Sequence, residues 1–89
     1  MPSPRVEIHY CTQCRFMLRA AYLAQELLTS FEHELGEVAL VPASGGIFEV
    51  TLDGETLASN RESKRMPEAG EVKRLLRDRI APGKTIGHE

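Results

Sequence analysis

The chain begins with alternating apolar and polar residues and then changes to a helical spacing. Apolar side chains at Val6, Ile8 and Tyr10 alternate with polar ones, which predicts a short strand with one buried face. After position 14 the apolar residues recur every three or four positions, which predicts a long amphipathic helix. Its stripe comprises Phe16, Ala20, Leu23, Ala24, Leu27, Phe31 and Leu35. We expect Gly36 to end this helix.

Three further strands are predicted in the middle of the chain. The nearly continuous apolar run at residues 37–41 is typical of a strand buried on both faces. The segment "PASGG" at 42–46 predicts a turn, and residues 47–52 alternate as in a third strand. The following dipeptide "DG" is a strong hairpin signal, because both residues tolerate positive φ angles. It leads into a short fourth strand, "ETLAS", at residues 55–59.

The last third of the chain predicts a polar loop and a second helix. The loop is "NRESKR" at residues 60–65, and Pro67 with Glu68 and Glu71 behind it indicates the start of a helix. Val72, Leu75, Leu76 and Ile80 form its apolar stripe, and "APG" at 81–83 ends it. The element order β-α-β-β-β-α predicts an α/β fold with four strands and two helices.

Length and composition indicate one ordinary globular domain. The 89 residues are 42% hydrophobic and 27% charged, which is enough for a single modest core. No apolar run approaches the roughly 18 residues of a membrane span, and the first residues lack the apolar run of a signal peptide, so we expect a cytoplasmic protein. The net charge of −2 gives no overall attraction to nucleic acid or to an anionic membrane, and we expect neither as a partner.

The charges are nevertheless unevenly distributed along the chain. Residues 20–60 contain seven acidic residues and no lysine or arginine, whereas residues 61–84 contain eight of the eleven basic residues. The basic loop from Arg61 to Arg65 is therefore a candidate docking surface for an acidic protein partner. The alternative is a solvated face, since four acidic residues are interleaved with these bases.

The only two cysteines, Cys11 and Cys14, form a C-x-x-C motif where the first strand gives way to the helix. A helix N-terminus favours the thiolate, and Arg15 and Arg19 add positive charge nearby. With this spacing one sulfur can attack a mixed disulfide on the other, which releases a bound substrate and leaves an internal disulfide.

The two residues between the cysteines are candidates for function, and the motif has three alternative interpretations. Thr12 and Gln13 are expected to tune the redox potential and to contact a substrate. Half a zinc site is an alternative, with His9 and His33 as further ligands, but the sequence has no second C-x-x-C and no H-x₃-H. Haem attachment needs histidine where Arg15 stands, and a purely structural disulfide is the weakest reading in a reducing compartment. We expect a redox pair and no metal.

The ordered motifs carry a resemblance to a known family. A strand ending in "YCTQCRF", followed by "GGIFEV" and then "SKRMPE", resembles the selenoprotein W-like family, also called Rdx, over residues 5–82. The resemblance implies a single thioredoxin-like domain with a four-stranded mixed sheet, and we expect residues 1–4 and 83–89 to be flexible tails. It also implies a thiol-disulfide oxidoreductase or redox-responsive role, with glutathione as a co-substrate or with thiol-dependent docking on protein partners, and no bound cofactor.

The chain departs from the family pattern at the second cysteine. Selenoprotein members carry selenocysteine where this chain has Cys14, so the resemblance is to a cysteine-containing homologue and implies that Cys14 is chemically engaged. The logic of thioredoxin-like motifs instead makes Cys11, as the first and more exposed thiol, the attacking one. We expect Cys11 to be the nucleophile and Cys14 the resolving thiol.

The resemblance also points to the turn before the third strand. In a thioredoxin-like topology this strand lies beside the first, so Ser44, Gly45 and Gly46 pass near the cysteines as candidate substrate-binding residues. The two glycines either let a substrate backbone approach closely or merely form the turn. Pro42 precedes this turn, whereas thioredoxins carry a cis-proline beside the active site, so no cis bond is assigned to it. Two hypotheses remain: a thiol-disulfide oxidoreductase, and a non-enzymatic module that docks partners through a cysteine.

Overall fold

The computed structural model describes residues 3–86 and confirms the predicted order of strands and main helices. The elements are β1 (Arg5–Cys11), a 3₁₀ turn (Thr12–Cys14), α1 (Met17–Ser30), β2 (Glu37–Ala43), β3 (Phe48–Leu52), β4 (Glu55–Ser59), the one-turn helix α2 (Asn60–Ser63) and α3 (Ala69–Ile80). No helix within the described residues is long and apolar enough to cross a lipid bilayer.

The four strands form one mixed sheet in the order β2-β1-β3-β4. β1 runs parallel to β2 and antiparallel to β3, and β3 runs antiparallel to β4. The predicted hairpin joins β3 and β4 through Asp53 and Gly54, which both have positive φ angles. Since β1 lies between β2 and β3, its C-terminal end lies beside the end of β2 and the start of β3, which residues 44–47 connect.

The core lies between one face of the sheet and the helices α1 and α3. Val6, Ile8, Phe48 and Val50 project from the central strands and are fully buried. The matching residues of the helices and the loop after α1 are Ala20, Leu23, Leu27, Phe31, Val72 and Leu76. The ring of Phe16 meets the ring of Phe48 edge-on, with centroids 6.0 Å apart, where the chain enters α1. This packing holds the start of β3 against the start of the helix.

The predicted end of α1 is wrong. The helix stops at Ser30 and not at Gly36, because Phe31 takes a non-helical conformation and the chain turns while Phe31 and Leu35 remain in the core. Gly36 has a different role, since its N–H donates to the Pro4 carbonyl at 2.8 Å. A Cβ at position 36 would lie 2.2 Å from Cβ of Ser3, so glycine allows the start of the chain to pass.

The second strand also differs from the prediction. β2 is an edge strand, and its apolar residues are only half-buried because helix α1 covers one of its faces while the outer edge has no neighbouring strand. It extends through Pro42 to Ala43, where we expected a turn. Proline is compatible with an edge strand, which need not donate its N–H to a neighbour. No peptide bond within the described residues is cis.

The C-terminal third needs three corrections. The predicted polar loop begins with α2, one helical turn long, and ends in the left-handed Lys64. α3 begins at Ala69, two residues after Pro67, with Glu68 at the N-cap position. Leu75 is 38% exposed and not part of the buried stripe, because α3 presents only a narrow face to the sheet and to α1.

The residues after α3 make contacts that link them to the domain. Ile86 is 4% exposed and belongs to the core, and the ammonium of Lys84 lies 2.9 Å from a carboxylate oxygen of Glu34. The domain limits and the flexibility of the ends stay predictions. Residues 1–2 and 87–89 of the expected tails lie outside the described residues.

Candidate thiol site

Both cysteines lie at the carboxyl end of the central strand β1. Cys11 is its last residue, and Cys14 ends the 3₁₀ turn that follows. Arg15 then adopts a left-handed conformation, with φ of 58°, before α1 starts at Met17. A separate 3₁₀ turn therefore lies between β1 and α1, and neither cysteine is part of α1.

The two sulfurs are in contact but differ in accessibility. The Sγ atoms of Cys11 and Cys14 are 2.6 Å apart, and both cysteines are free thiols. Cys11 is buried, with 1% of its surface exposed, whereas Cys14 is exposed. The premise that Cys11 is the more exposed thiol is wrong. The last residue of a central strand is covered by the neighbouring strands, and only the turn beyond it reaches the surface.

The pKa values of the two thiols are shifted in opposite directions. The pKa of Cys11 is lowered, first because the Cys14 thiol donates a hydrogen bond to its sulfur and then by backbone N–H groups of Gly46, Gln13 and Cys14. The pKa of Cys14 is raised, chiefly because its thiol donates its proton in the hydrogen bond to Cys11 and because burial opposes ionisation. Neither Arg15 nor any other charged side chain is among the leading causes. The Cys14 thiol and then nearby backbone N–H groups, rather than arginine side chains, stabilise the Cys11 thiolate.

The segment between β2 and β3 lies directly beside the cysteines. The Cys11 N–H donates to the Ile47 carbonyl at 2.9 Å, and the Gly46 backbone acts to lower the pKa of both thiols. The hydroxyl of Thr12 donates to the Ala43 carbonyl at 3.4 Å, a long hydrogen bond. Topology thus brings residues 43–47 to the C-x-x-C motif, although more than 30 residues separate them along the chain.

Most of the candidate substrate-binding residues lie at the surface. Thr12, Gln13, Ser44 and Gly45 are exposed, and Gly46 is half-buried. Gly45 and Gly46 both have φ of 76°, a left-handed conformation that favours glycine. No heavy atom lies within 4 Å of the position that a Cβ at Gly46 would take, so there is open space beside it. The turn requires these glycines for its conformation, and the open space is compatible with the approach of a substrate.

The sequence analysis missed Asn60, the first residue of α2. Its side-chain amide donates to the Gly46 carbonyl at 2.8 Å, and its side-chain oxygen accepts the Phe48 N–H at 2.9 Å. A signal for this helix start was present, because "SNRE" has the S-x-x-E spacing of a capping box and Ser59 is the N-cap residue. Nothing in the sequence indicated that the Asn60 side chain would reach the glycine turn.

The basic segment at residues 61–65 borders the same turn. The Nη2 atom of Arg61 lies 3.5 Å from the position that a Cβ at Gly45 would take. Arg65 instead forms a bidentate pair with Glu71, at 2.9 and 3.2 Å, which holds it against α3. The two ends of the segment therefore differ: Arg61 faces the thiol site, and Arg65 is engaged elsewhere.

The two histidines considered as metal ligands lie apart from the cysteines. His9 pairs with Glu7 at 2.9 Å on the open face of the sheet, and His33 lies 3.3 Å from Glu32 after α1. Within residues 3–86, no three side chains of histidine, cysteine, aspartate or glutamate lie close enough together to hold a metal ion.

Comparison with known proteins gave consistent results for sequence and fold. A profile of the Rdx family matches residues 5–78. A crystal structure from Bordetella parapertussis has 47% sequence identity, covers 89% of this chain and 100% of that chain, and superposes with a TM-score of 0.86. A selenoprotein W-related protein from Vibrio cholerae has 42% identity, covers 89% of this chain and 99% of that chain, and gives a TM-score of 0.84. The expected thioredoxin-like fold is confirmed. Comparison with curated protein sequences found no match.

Proposed function

The chain belongs to the Rdx family, and from this membership and the geometry of its cysteines we propose that it is a thiol-disulfide oxidoreductase or redox-responsive protein. The observation that carries the proposal is the contact between Cys11 and Cys14, whose sulfurs are 2.6 Å apart and whose pKa values are shifted in opposite directions. Two thiols in contact can form an internal disulfide with little movement of the backbone, and the stabilised Cys11 thiolate is a good leaving group when that disulfide is reduced.

The difference in exposure supports a division of roles that reverses the expectation from thioredoxin-like motifs. Cys14 is the sulfur that a bulky disulfide can reach. Cys11 accepts the proton of Cys14, and the Cys14 thiolate attacks one sulfur of the substrate disulfide, which breaks its S–S bond and expels the other half as a thiolate. Cys11 loses its proton to that thiolate and attacks Cys14. The second half of the substrate leaves as a thiolate, which takes a proton from water, and a Cys11–Cys14 disulfide remains while the substrate is reduced by two electrons.

Glutathione is the reductant and co-substrate that we propose for this cycle, in the cytoplasm. The exposed positions around Cys14, including Thr12, Gln13, Ser44 and Gly45, leave room for a tripeptide disulfide at the surface. Glutathione thiolate attacks Cys14 in the internal disulfide, Cys11 leaves as the stabilised thiolate, and a second glutathione removes the first as oxidised glutathione. The low pKa of Cys11 makes it the better leaving group.

The experiment is equilibration in glutathione redox buffers, followed by alkylation of free thiols and intact-mass measurement. We expect the Cys11–Cys14 disulfide to form at a potential between about −180 and −320 mV. Cys11→Ser should accumulate a glutathione adduct on Cys14, whereas Cys14→Ser should accumulate little, and the double variant is the control without thiols. If both thiols stay free across this range, the redox proposal is wrong. An adduct on Cys14→Ser alone would reverse the two roles.

A second candidate function is a non-enzymatic module that docks protein partners through its thiol. The position of Arg61 beside Gly45 favours it, because the basic segment then borders the cysteines and can meet an acidic partner. The test compares disulfide exchange with an acidic and a neutral cysteine-containing peptide in Arg61→Ala, with Arg79→Ala on α3 as a control. If docking occurs, Arg61→Ala should slow disulfide exchange with the acidic peptide only, and the complex with that peptide should form without turnover. Equal rates for both peptides exclude docking through this segment.

A further inference from the structure

The glycine turn beside the cysteines is bonded by the side chain of Asn60 on the side that faces away from the cysteines. Asn60 bonds to the Gly46 carbonyl at 2.8 Å and to the Phe48 N–H at 2.9 Å, so its amide group spans the junction between the turn and β3. These two bonds supply partners for backbone groups at the start of β3, just before the ladder between β3 and β4 begins at Glu49 and Ser59.

The same short stretch contacts Cys11 on its other side. The Ile47 carbonyl accepts the N–H of Cys11 at 2.9 Å, and the Gly46 N–H is a hydrogen-bond partner of the Cys11 sulfur. Gly46 thus presents its N–H to the cysteines and its carbonyl to Asn60.

Gly46 cannot be held by side-chain packing. It has no Cβ, and no heavy atom lies within 4 Å of where a Cβ would be. A glycine with positive φ also has a wide choice of backbone conformations. The orientation of its peptide groups must therefore come from hydrogen bonds, and on the side away from the cysteines the bond from Asn60 is the one that the structure shows.

We propose that Asn60 is a positioning residue for the thiol site: it holds the Gly46–Ile47 and Ile47–Phe48 peptide groups in place on the side opposite Cys11, which bonds the Ile47 carbonyl, and so keeps the Gly46 backbone beside the sulfurs. The proposal rests on the function above, in which Cys11 carries the negative charge. Removing the Asn60 amide frees the turn, the Gly46 N–H no longer faces the thiolate for most of the time, and the thiolate loses stabilisation. Among the groups around Cys11 that bear or can gain a charge, Cys14 and Arg15 belong to the motif, and Arg61 lies over Gly45.

The first test uses Asn60→Ala in a Cys14→Ser background, in which Cys11 is the only thiol. The matched control is Ser63→Ala, because the Ser63 hydroxyl donates to the carbonyls of Ser59 and Arg65, so it stabilises α2 without touching the glycine turn. Thiolate absorbance near 240 nm is followed against pH. We expect Asn60→Ala to reduce the thiolate fraction of Cys11 at neutral pH about three- to tenfold, since one hydrogen bond to a charged group is weakened. Ser63→Ala should titrate as the parent does.

A purely structural role predicts a different result. Asn60→Ala would then melt at a lower temperature, as Ser63→Ala does, while Cys11 titrates unchanged, and this result would overturn the proposal. A second measurement needs no variant at Asn60: the amide resonance of Gly46 should follow the ionisation of Cys11 in a pH titration by NMR, and it should not do so in Cys11→Ser. The proposal is also overturned if the chemical shift of the Gly46 amide does not change when Cys11 ionises. Both results are independent of whether the pair forms a disulfide in glutathione buffers, so failure of the proposed function is recognised separately.

Discussion

Replacement of Gly46 by alanine and by asparagine separates the two roles that are open for this residue, turn formation and close approach of a substrate. Gly46 has φ of 76°, and a Cβ there meets no heavy atom within 4 Å. The effect of Gly46→Ala on folding is therefore conformational strain without a clash. An L-residue in the left-handed region costs about 1–2 kcal/mol, so Gly46→Ala should lower the free energy of unfolding by about this amount. Asparagine adopts this region more easily, so Gly46→Asn should recover part of the loss.

The assay measures two quantities for each variant, the melting temperature and the rate of reaction with a peptide disulfide. For a domain of this size, each 1 kcal/mol corresponds to a decrease of about 4–8 °C in melting temperature. Gly83→Ala is the matched control, because Gly83 has φ of 86° and equally open surroundings, but lies after α3, beside Lys84 and far from the cysteines. Both alanine variants should lose similar stability. If a substrate backbone approaches Gly46, then Gly46→Asn should react more slowly than the parent with a peptide disulfide, while Gly83→Ala reacts at the parent rate.

Two outcomes would refute this reasoning. If Gly46→Ala is as stable as the parent, the left-handed turn does not require glycine and the strain argument is wrong. If Gly46→Asn is well folded and exchanges with the peptide disulfide at the parent rate, the open space beside Gly46 is not used by the substrate. In that case glycine serves the turn alone.

Three further predictions concern stability. Phe31 is fully buried, so Phe31→Ala should lower the free energy of unfolding by about 3–5 kcal/mol in urea titrations, and a smaller loss would indicate that the core collapses into the cavity. The Lys73 side chain is 5% exposed and lies 2.7 Å from Glu26, so Glu26→Ala should be more destabilising than Lys73→Met, because it leaves a buried ammonium without this carboxylate; equal losses would contradict this. The pKa of Glu34 is lowered in the folded state, mainly by the Lys84 ammonium. The Glu34 carboxylate therefore stabilises the fold at a pH above its ordinary pKa. This stabilisation is lost as the pH falls through the lower pKa of the folded state. Lys84→Met should therefore have a shallower decrease in stability on acidification, and an unchanged slope would show that the pair does not contribute.

Local chemistry explains the parts of the structure that could be predicted. The period of apolar residues indicated β1, α1 and α3, and the "DG" dipeptide indicated the hairpin between β3 and β4, because such signals depend on residues near one another in the chain. The C-x-x-C motif likewise identified the thiol pair and its place after a strand. The order of the motifs also supported the family, and with it the thioredoxin-like fold.

The remaining features depend on neighbours that are distant in sequence. β2 resembles a strand buried on both faces, but whether a strand lies at an edge is decided by sheet order and not by its own residues. Gly36 was read as a helix stop, whereas the structure uses it to let Ser3 and Pro4 pass.

The sequence by itself determined that two thiols stand three positions apart at the end of a strand, since this follows from local spacing alone. Tertiary structure decided how they differ. Cys11 is buried because a central strand ends among its neighbours, and Cys14 is exposed because the turn leaves the sheet. The bond from Asn60 to Gly46 spans 14 residues and joins a one-turn helix to the thiol site. Burial and long-range hydrogen bonds are properties of the packed chain, so local pattern does not specify which thiol is reached by a substrate or which side chain holds the turn.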